Sequence, residues 1–202
     1  MNAVKVTGAF EAMLDRAGDL HSEEALDMFA REGDWQSFLI QGRVKRLEAW
    51  EINPDFIPNL RKNLPRATIH CLDSIATVNA GGIRTFGLVV ADNGLNCYGE
   101  GNRFCEHFDF IRNIGNVVRP GGFLIFNVAR KPFGYEQFPE WRARREAFYG
   151  TTDTADLSLT FVESFYRALF RNAGRPTSEF HLLCREHYGQ DDYLYYAGVR
   201  LA

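Results

Sequence analysis

The sequence of 202 residues lacks the features that mark several specialised classes of protein. No apolar run approaches the ~18 residues that a membrane-spanning helix needs, and the first residues do not have the layout of a signal peptide. The net charge of −3 is too small for a global field that attracts nucleic acid. We therefore expect a cytoplasmic protein without membrane or nucleic-acid partners, whose oligomeric state the sequence leaves open.

Cysteine is scarce, and its spacing does not indicate a metal site. The four cysteines form no C-x-x-C pair, so Cys97, Cys105 and His107 are weak candidates for a zinc site. Cys71 and Cys184 lie in strand-like runs, where a buried free thiol is expected. The sequence predicts no metal.

Aromatic residues, in contrast, are abundant, at 14% of the chain with seventeen Phe. This content predicts a core rich in rings or a pocket lined with them. Apolar residues make up 46% and charged residues 24%, which is typical of a soluble globular domain. A local basic run of Arg142, Arg144 and Arg145 is typical of a solvated helix face.

Periodicity predicts strands and helices in alternation along a single domain, 1–202. Strands are expected at 25–30, 44–52, about 67–72, 86–91, 123–128, about 178–186 and 192–201. Helices are expected at about 7–18, 35–43, from 54 onwards, about 103–118 and 158–174, and RPGG at 119–122 predicts a tight turn. This order favours an α/β fold with a parallel sheet, helices on both faces and an antiparallel strand from the closing hairpin. Residues 1–21 would be an N-terminal helical extension, and 130–156 an irregular, lid-like insertion.

Acidic residues follow several of the predicted strands, where α/β sheets bind ligands. Glu51 lies 18 residues after Gly33, a spacing that suits a carboxylate accepting from both hydroxyls of a ribose. Asp73, 22 residues further on, could accept from an adenine amino group. The loop, Glu51 and Asp73 together would hold an adenosine.

The segments LDMFAREG, AWEINPDF, HCLDS and VVRPGGFLIF resemble the class I S-adenosylmethionine-dependent methyltransferases, particularly those that methylate small molecules at oxygen. The resemblance runs from about residue 22 to the end. It implies a Rossmann-like, doubly wound sheet of seven strands in the order 3-2-1-4-5-7-6, with strand 7 antiparallel. It also implies S-adenosyl-L-methionine as cofactor and methyl transfer to a small-molecule acceptor, with oxygen as one candidate atom.

The resemblance assigns roles to particular residues. The implied catalytic residues are Asp92 and His107, and a helix histidine such as His107 is more commonly partly exposed. The implied cofactor-binding residues are Asp27, Phe29, Ala30, Gly33, Glu51, Ile52, Asp73, Ser74 and Asp92.

The glycine loop departs most from the family pattern. Where D-x-G-x-G-x-G is common, this chain has Asp27, Phe29, Arg31 and Gly33. We expect Gly33 to stay small because the backbone there would pass closest to the cofactor. Arg31 would either face the methionine carboxylate of the cofactor or pair with Glu32 on the surface.

The acceptor side is less defined. ADNGLNCYG lacks the D/N-P-P-Y/F motif of many amino methyltransferases, which disfavours nucleic acid as substrate. Asp92 and Asn127 match two positions of the metal-dependent O-methyltransferases, but Phe126 replaces an Asp, so a hard cation would lose a charged ligand. An aromatic lid is one interpretation, and core packing the other, for Tyr98, Phe104, His107, Phe133, Tyr135, Phe138 and Trp141.

Two other functions remain open. The depleted glycine loop is compatible with a non-catalytic module that keeps the fold as a binding scaffold. Another reaction of the same cofactor, such as aminopropyl transfer or sulfonium cleavage, is the third hypothesis.

Overall fold

The computed structural model describes residues 8–92, 107–130, 139–151, 157–187 and 190–202, without the side chains of 184–187 and 190–193. Seven strands form one sheet in the order β3-β2-β1-β4-β5-β7-β6. β7 runs antiparallel to both neighbours, and the other ladders are parallel. The strands are β1 (Glu24–Asp27), β2 (Arg46–Glu51), β3 (Thr68–Cys71), β4 (Phe86–Ala91), β5 (Val118–Ala129), β6 (Thr177–His187) and β7 (Gln190–Leu201). The predicted fold class and strand order are confirmed.

Six α-helices are described, and several begin where the sequence supplies a cap. They are α1 (Gly8–Arg16), α2 (Gln36–Arg43), α3 (Ile57–Asn63), α4 (Ser74–Ala80), α5 (Pro139–Tyr149) and α6 (Leu159–Asn172). Ser158 accepts a hydrogen bond from the N–H of Phe161 at the start of α6, and Asn53 caps the 3₁₀ turn Pro54–Phe56 that leads into α3. In the part of the chain that is described, no helix is both long and apolar enough to cross a membrane.

The sheet separates two apolar layers, because successive side chains of a strand point to opposite faces. Val89 of β4 and Phe126 of β5 pack on the side of α6, whereas Val90 and Ile125 pack on the side of α1. β4 is therefore buried along its whole length. A strand with both faces covered has a continuous apolar run, here FGLVVA, rather than an alternation.

Three predicted elements differ in the structure, and one helix was not predicted. β1 ends at Asp27 instead of residue 30, although the N–H groups of Met28 and Ala30 still donate to the carbonyls of Val90 on β4 and Trp50 on β2. The helix expected over 103–118 is wrong in its described part, where Ile111–Asn116 is a 3₁₀ helix and Val118 begins β5. The α4 helix was missed, because its seven residues are too short to show a clear period. RPGG lies within β5, where the ladder to β4 shifts register between Phe86 and Leu88.

Two side-chain expectations are wrong. Cys71 is exposed, because β3 is an edge strand whose described residues are covered only partly. Arg145 is fully buried, with its guanidinium donating to the carbonyl of Ala129 at 2.8 Å and lying near the rings of Trp141 and Tyr149. Only Arg142 of the basic run fits a solvated face, since Arg144 pairs with Asp109.

Candidate functional site

Three buried carboxylates lie at the carboxyl ends of neighbouring strands. Glu51 is the last residue of β2, Asp27 the last of β1, and Asp92 follows β4, and they are exposed by only 6%, 3% and 2%. Because these parallel strands are adjacent in the sheet, their ends meet at one edge. The sequence predicted strand ends at Glu51 and Asp92, whereas Asp27 was expected inside the strand 25–30.

The carboxylate of Asp27 accepts hydrogen bonds from the loop that follows β1 and from α2. One carboxylate oxygen accepts from the Ser37 hydroxyl at 2.5 Å, and the other from the N–H of Phe29 at 3.2 Å. The pKa of Asp27 is raised to about 6, mainly by burial, and the negative charges of Asp92 and Glu51 act in the same direction. This edge of the sheet therefore has a negative potential.

Asp92 lies in a hydrogen-bonded group that joins three parts of the chain. Its Oδ2 accepts from the hydroxyl of Tyr196 on β7 at 2.8 Å and from the amide of Gln36 at the start of α2. The Gln36 amide also contacts the Tyr196 hydroxyl at 3.4 Å. The carboxylate is thus fixed in position at the junction of β4, α2 and β7.

The Glu51 carboxylate is anchored by two backbone amides. Its Oε2 accepts from the N–H of Arg31 at 2.8 Å and its Oε1 from the N–H of Asn53 at 2.7 Å. A carboxylate has about four acceptor positions, so each oxygen can accept one bond more. Glu51 is therefore oriented and still able to bind hydroxyl groups.

The glycine-poor loop keeps the backbone path of a glycine at Arg31. This residue has φ 50°, in the left-handed region where residues other than glycine are uncommon. Such a conformation costs about 1–2 kcal/mol, and the hydrogen bond from Arg31 to Glu51 offsets part of that cost. The guanidinium lies 5.7 Å from the centre of the Phe56 ring. No ion pair between Arg31 and Glu32 occurs among the described residues; Glu32 instead accepts from Asn59.

Gly33 is required by packing within the protein. It has φ 70°, and a Cβ atom here would lie 2.6 Å from Leu60 and 2.9 Å from Leu64, both of which pack on the α3 side. Its N–H donates to the carbonyl of Ala30 at 2.8 Å, which closes the turn after β1, while Ala30 itself is buried. The expectation that Gly33 must stay small thus has a structural reason independent of any cofactor.

The other predicted cofactor residues lie next to Glu51 on the same edge. Ile52 is 58% exposed, an unusual position for a large apolar side chain directly beside a buried acid. Asp73 is exposed and accepts from the N–H of Ala76 at the start of α4, and Ser74 donates to the Met28 carbonyl at 2.5 Å. The N–H of Leu72 donates to the Glu51 carbonyl, which keeps the ends of β2 and β3 together. Phe29 is half-buried, with its ring centre 5.8 Å from that of Phe110.

Asn127 on β5 has a buried side-chain amide without a hydrogen-bond partner. It is 1% exposed, and neither Nδ2 nor Oδ1 has a partner in the described residues. An unpaired buried amide costs roughly 1–3 kcal/mol. The register pairs Ala91 with Phe126, so Asn127 on β5 lies beside Asp92, the residue that follows β4.

His107 is more enclosed than the sequence suggested. It is fully buried, its Nε2 contacts the Tyr166 hydroxyl, and its ring centre lies 5.2 Å from that of Phe126. The pKa of His107 is lowered to about 3, mainly by burial, and the positive charge of Arg145 acts in the same direction. A neutral imidazole with such a low proton affinity is a weak general base near neutral pH.

The charges at the two edges of the sheet are balanced in different ways. At the amino edge Glu48 pairs with Arg84, which also binds Glu24, and Glu23 pairs with Arg119. At the carboxyl edge, in contrast, neither Asp27 nor Glu51 forms an ion pair with a described residue. The described residues contain no group of three side chains able to hold a metal ion.

Gln36, Ser37 and Tyr196 are the residues of this edge that sequence reasoning missed. Their types do not indicate binding, and each meets its carboxylate only through tertiary packing. The start of α2, directly after the loop, was the one signal available, because helix N-termini often hold anions. Of the predicted lid, Tyr98, Phe104, Phe133, Tyr135 and Phe138 lie outside the described residues.

Comparisons with known proteins detect no similarity at the level of sequence. No family model matches the chain, and no curated protein matches it. Solved structures do match. The N-methyltransferase NodS from Bradyrhizobium japonicum WM9 superposes with a TM-score of 0.60 at 14% identity, over 95% of this chain and 93% of that chain.

Two further structures show the same architecture. NodS in complex with S-adenosyl-L-homocysteine gives a TM-score of 0.61 at 15% identity, over 96% of this chain and 86% of that chain. Precorrin-6y C5,15-methyltransferase from Geobacter metallireducens GS-15 gives a TM-score of 0.56 at 11% identity, over 100% of this chain and 92% of that chain. The chain has the fold of the class I S-adenosylmethionine-dependent methyltransferases. At these identities the likeness establishes the fold, and the activity has to be argued from the site.

Proposed function

We propose that the protein transfers a methyl group from S-adenosyl-L-methionine to a small-molecule acceptor. The observation that carries the proposal is the arrangement around Glu51, a fixed carboxylate with spare acceptor positions at the end of β2. The exposed Ile52 beside it offers an apolar surface for an adenine ring, and Asp73 lies at the end of the neighbouring strand. These three residues match the ribose and base of an adenosine.

The charge of the site also favours this cofactor. Asp27 and Glu51 are buried without a cationic partner in the described chain, and the pKa of Asp27 is raised to about 6. S-adenosyl-L-methionine carries a positive sulfonium and a positive ammonium group. Binding it would place positive charge where buried carboxylates are otherwise unpaired, which is energetically favourable in a site of low dielectric.

Methyl transfer from a sulfonium requires little chemical assistance beyond positioning. The bond between sulfur and the methyl carbon breaks as the bond to the acceptor atom forms, and the sulfur keeps the electron pair. If the acceptor atom carries a proton, a base or water takes it. Asp92 is our candidate for contact with the acceptor or for that base, whereas the buried His107 is better suited to holding Tyr166 in place.

The negative edge also restricts the acceptor. Asp27, Glu51 and Asp92 would repel a phosphate or a carboxylate close to the transferred methyl group. This supports a neutral or cationic small molecule, methylated at oxygen or at nitrogen, and disfavours a nucleic-acid substrate.

A non-catalytic binding module is the alternative with a specific observation behind it. Gln36 and Tyr196 already donate to Asp92, so the carboxylate closest to the acceptor side is engaged by the protein itself. In such a module the fold would serve as a scaffold, and the Glu51 contacts would only stabilise the loop.

Titration with S-adenosylhomocysteine, followed by calorimetry, tests the proposal. We expect one saturable site per chain and a rise in Tm, because a ligand of the folded state stabilises it. Incubation with S-adenosylmethionine and a mixture of small amines and alcohols should then give a product heavier by one methylene unit, detected by mass spectrometry. Binding without any methylated product would favour another reaction of the same cofactor, whereas absence of binding would contradict the proposal and favour the non-catalytic module.

A further inference from the structure

Asn127 is the one residue of the carboxyl edge whose polar groups are left without a partner in the described chain. Buried amides in folded proteins are nearly always hydrogen-bonded, so an exception of this kind calls for an explanation. Its position suggests one, because Asn127 lies near the carboxyl end of β5, where ligands bind in open α/β sheets.

The position of Asn127 is defined by two ladders. In the antiparallel pair of β5 and β7 it lies directly opposite Tyr196, so the two side chains share one face of the sheet. In the parallel pair of β4 and β5, Ala91 pairs with Phe126, so the residues that follow them, Asp92 and Asn127, lie beside each other. Tyr196 donates to Asp92 on this same side. A carboxylate, a phenol and an unpaired amide therefore lie on neighbouring positions of three adjacent strands, near the carboxyl ends of β4 and β5.

We propose that Asn127 determines acceptor specificity, binding through its amide a small molecule that carries a hydrogen-bond donor next to a hydrogen-bond acceptor. This inference rests on the methyl-transfer function proposed above. An amide offers two N–H donors and a carbonyl acceptor, whereas an ionised Asp92 can only accept. The matching ligand has an N–H or O–H group to give to Asp92 or to Oδ1 of Asn127, and an adjacent oxygen or nitrogen that accepts from Nδ2. A 1,2-amino-alcohol or an aminophenol has this pattern.

The stability of the protein provides the first test, which needs no ligand. Leucine has the same number of side-chain heavy atoms as asparagine and the same branching, but no polar group. Asn127→Leu should raise Tm, because it removes an unpaired buried amide. The matched control is Asn116→Leu, since Asn116 is half-buried and donates to the Val78 carbonyl at 2.8 Å, so its replacement should lower Tm. A fall in Tm for both variants would show that Asn127 is a structural residue and would overturn the proposal.

The second test measures binding to the protein saturated with S-adenosylhomocysteine. The probes are 2-aminophenol, phenol and benzoate, three aromatic rings that differ in their polar groups and are followed by ligand-observed NMR. Wild type should prefer 2-aminophenol, and Asn127→Leu should lose about tenfold or more in affinity for it, leaving it similar to phenol. Asn127→Ala, which cannot overfill the site, should lose the same preference. Asn116→Leu should bind all three probes as wild type does.

The outcomes separate this inference from the proposed function. If S-adenosylhomocysteine does not bind the wild type, the proposed function fails and this inference falls with it. If S-adenosylhomocysteine binds but 2-aminophenol binds wild type and Asn127→Leu equally, or benzoate is preferred, only the role of Asn127 is wrong. A retained affinity for S-adenosylhomocysteine in Asn127→Leu, with loss of 2-aminophenol binding, supports both.

Discussion

The backbone N–H of Arg31 donates a 2.8 Å hydrogen bond to the carboxylate of Glu51, twenty residues further along the chain. This bond links the loop after β1 to the end of β2. Arg31 itself adopts φ 50°, in the left-handed region that favours glycine. The loop therefore keeps the path that glycine usually provides, although the chain has only Gly33 in it, and the acid at the end of β2 supplies the stabilising contact.

The first prediction concerns Glu51→Gln. Glutamine would direct an NH₂ group at one of the two backbone N–H donors that the carboxylate now binds, so that contact would become unfavourable. We expect S-adenosylhomocysteine to bind more weakly by about 1–3 kcal/mol, the range for hydrogen bonds to a charged group. Calorimetric titration measures this loss.

The matched control for this variant is Glu48→Gln. Glu48 lies on the same strand but belongs to the ion pair with Arg84 at the amino half of β2. This substitution should leave the affinity for S-adenosylhomocysteine unchanged. Equal effects of the two variants would contradict a binding role for Glu51.

The second prediction concerns the pH dependence of stability and uses Asp27→Asn. The folded-state pKa of Asp27, about 6, lies above its ordinary value of 3.8, so the folded protein holds this proton more tightly than the unfolded chain does. The resulting stabilisation is fully present below about pH 3.8 and is lost as the pH rises through 6. The free energy of unfolding of the wild-type protein should fall by up to about 3 kcal/mol over this pH range, because the pKa of Asp27 is raised by roughly two pH units.

Asparagine at position 27 removes that loss, since it has no charge to bury. Urea unfolding at several pH values should show Asp27→Asn gaining stability relative to wild type between pH 4 and 6, with a constant difference above pH 7. The same variant should bind S-adenosylmethionine more weakly, because a carboxylate facing its positive charge is gone. A variant less stable than wild type at pH 8, with unchanged cofactor affinity, would refute this account of Asp27.

The third prediction concerns Gly33→Ala. The φ of 70° strains alanine, and its Cβ would clash with Leu60 and Leu64, so about 2–4 kcal/mol of stability should be lost. Gly18→Ala provides the control, because Gly18 has φ 86° but a Cβ added there would meet no atom within 4 Å, so only the cost of about 1 kcal/mol for backbone strain applies. Chemical denaturation of the ligand-free proteins measures both. Similar losses in the two variants would mean that packing against the leucines does not constrain Gly33.

The fourth prediction concerns His107. Since burial lowers its pKa to about 3, the imidazole should remain neutral, and its NMR signals should not shift between pH 5 and 8. Glutamine at this position would replace the imidazole that contacts the Tyr166 hydroxyl. His107→Gln should therefore lower the free energy of unfolding by about 1–3 kcal/mol. His107→Gln also identifies the signal by its disappearance. A titration of that signal near pH 6 to 7 would restore His107 as a candidate general base.

The fold could be predicted well because its main signals are local or periodic. The buried run FGLVVA, the Asn53 and Pro54 helix start and the closing hairpin each follow from side-chain pattern or turn chemistry. The helix expected over about 103–118 was wrong in its described part, because helix periodicity there competes with the pairing of Val118 to β4, which only tertiary structure reveals. Similarly, the burial of Arg145 follows from carbonyl groups at the end of β5 that no local pattern predicts.

For the site, the sequence indicated which strand ends carry acids but not how those acids are held. Glu51 and Asp73 were predicted as binding residues from their spacing after the loop, and that role stays a prediction. The partners Gln36, Ser37 and Tyr196 come from α2 and β7, and their contacts depend on how the helix and the antiparallel strand pack. The unpaired state of Asn127 likewise appears only when every neighbouring donor and acceptor is placed.

A structure of the protein crystallised with S-adenosylhomocysteine would test the central claim most directly. We predict both ribose hydroxyls within hydrogen-bonding distance of the Glu51 carboxylate, the adenine ring against Ile52 and its amino group facing Asp73. An adenosine bound anywhere else, with Glu51 contacting only the backbone amides of Arg31 and Asn53, would contradict the account.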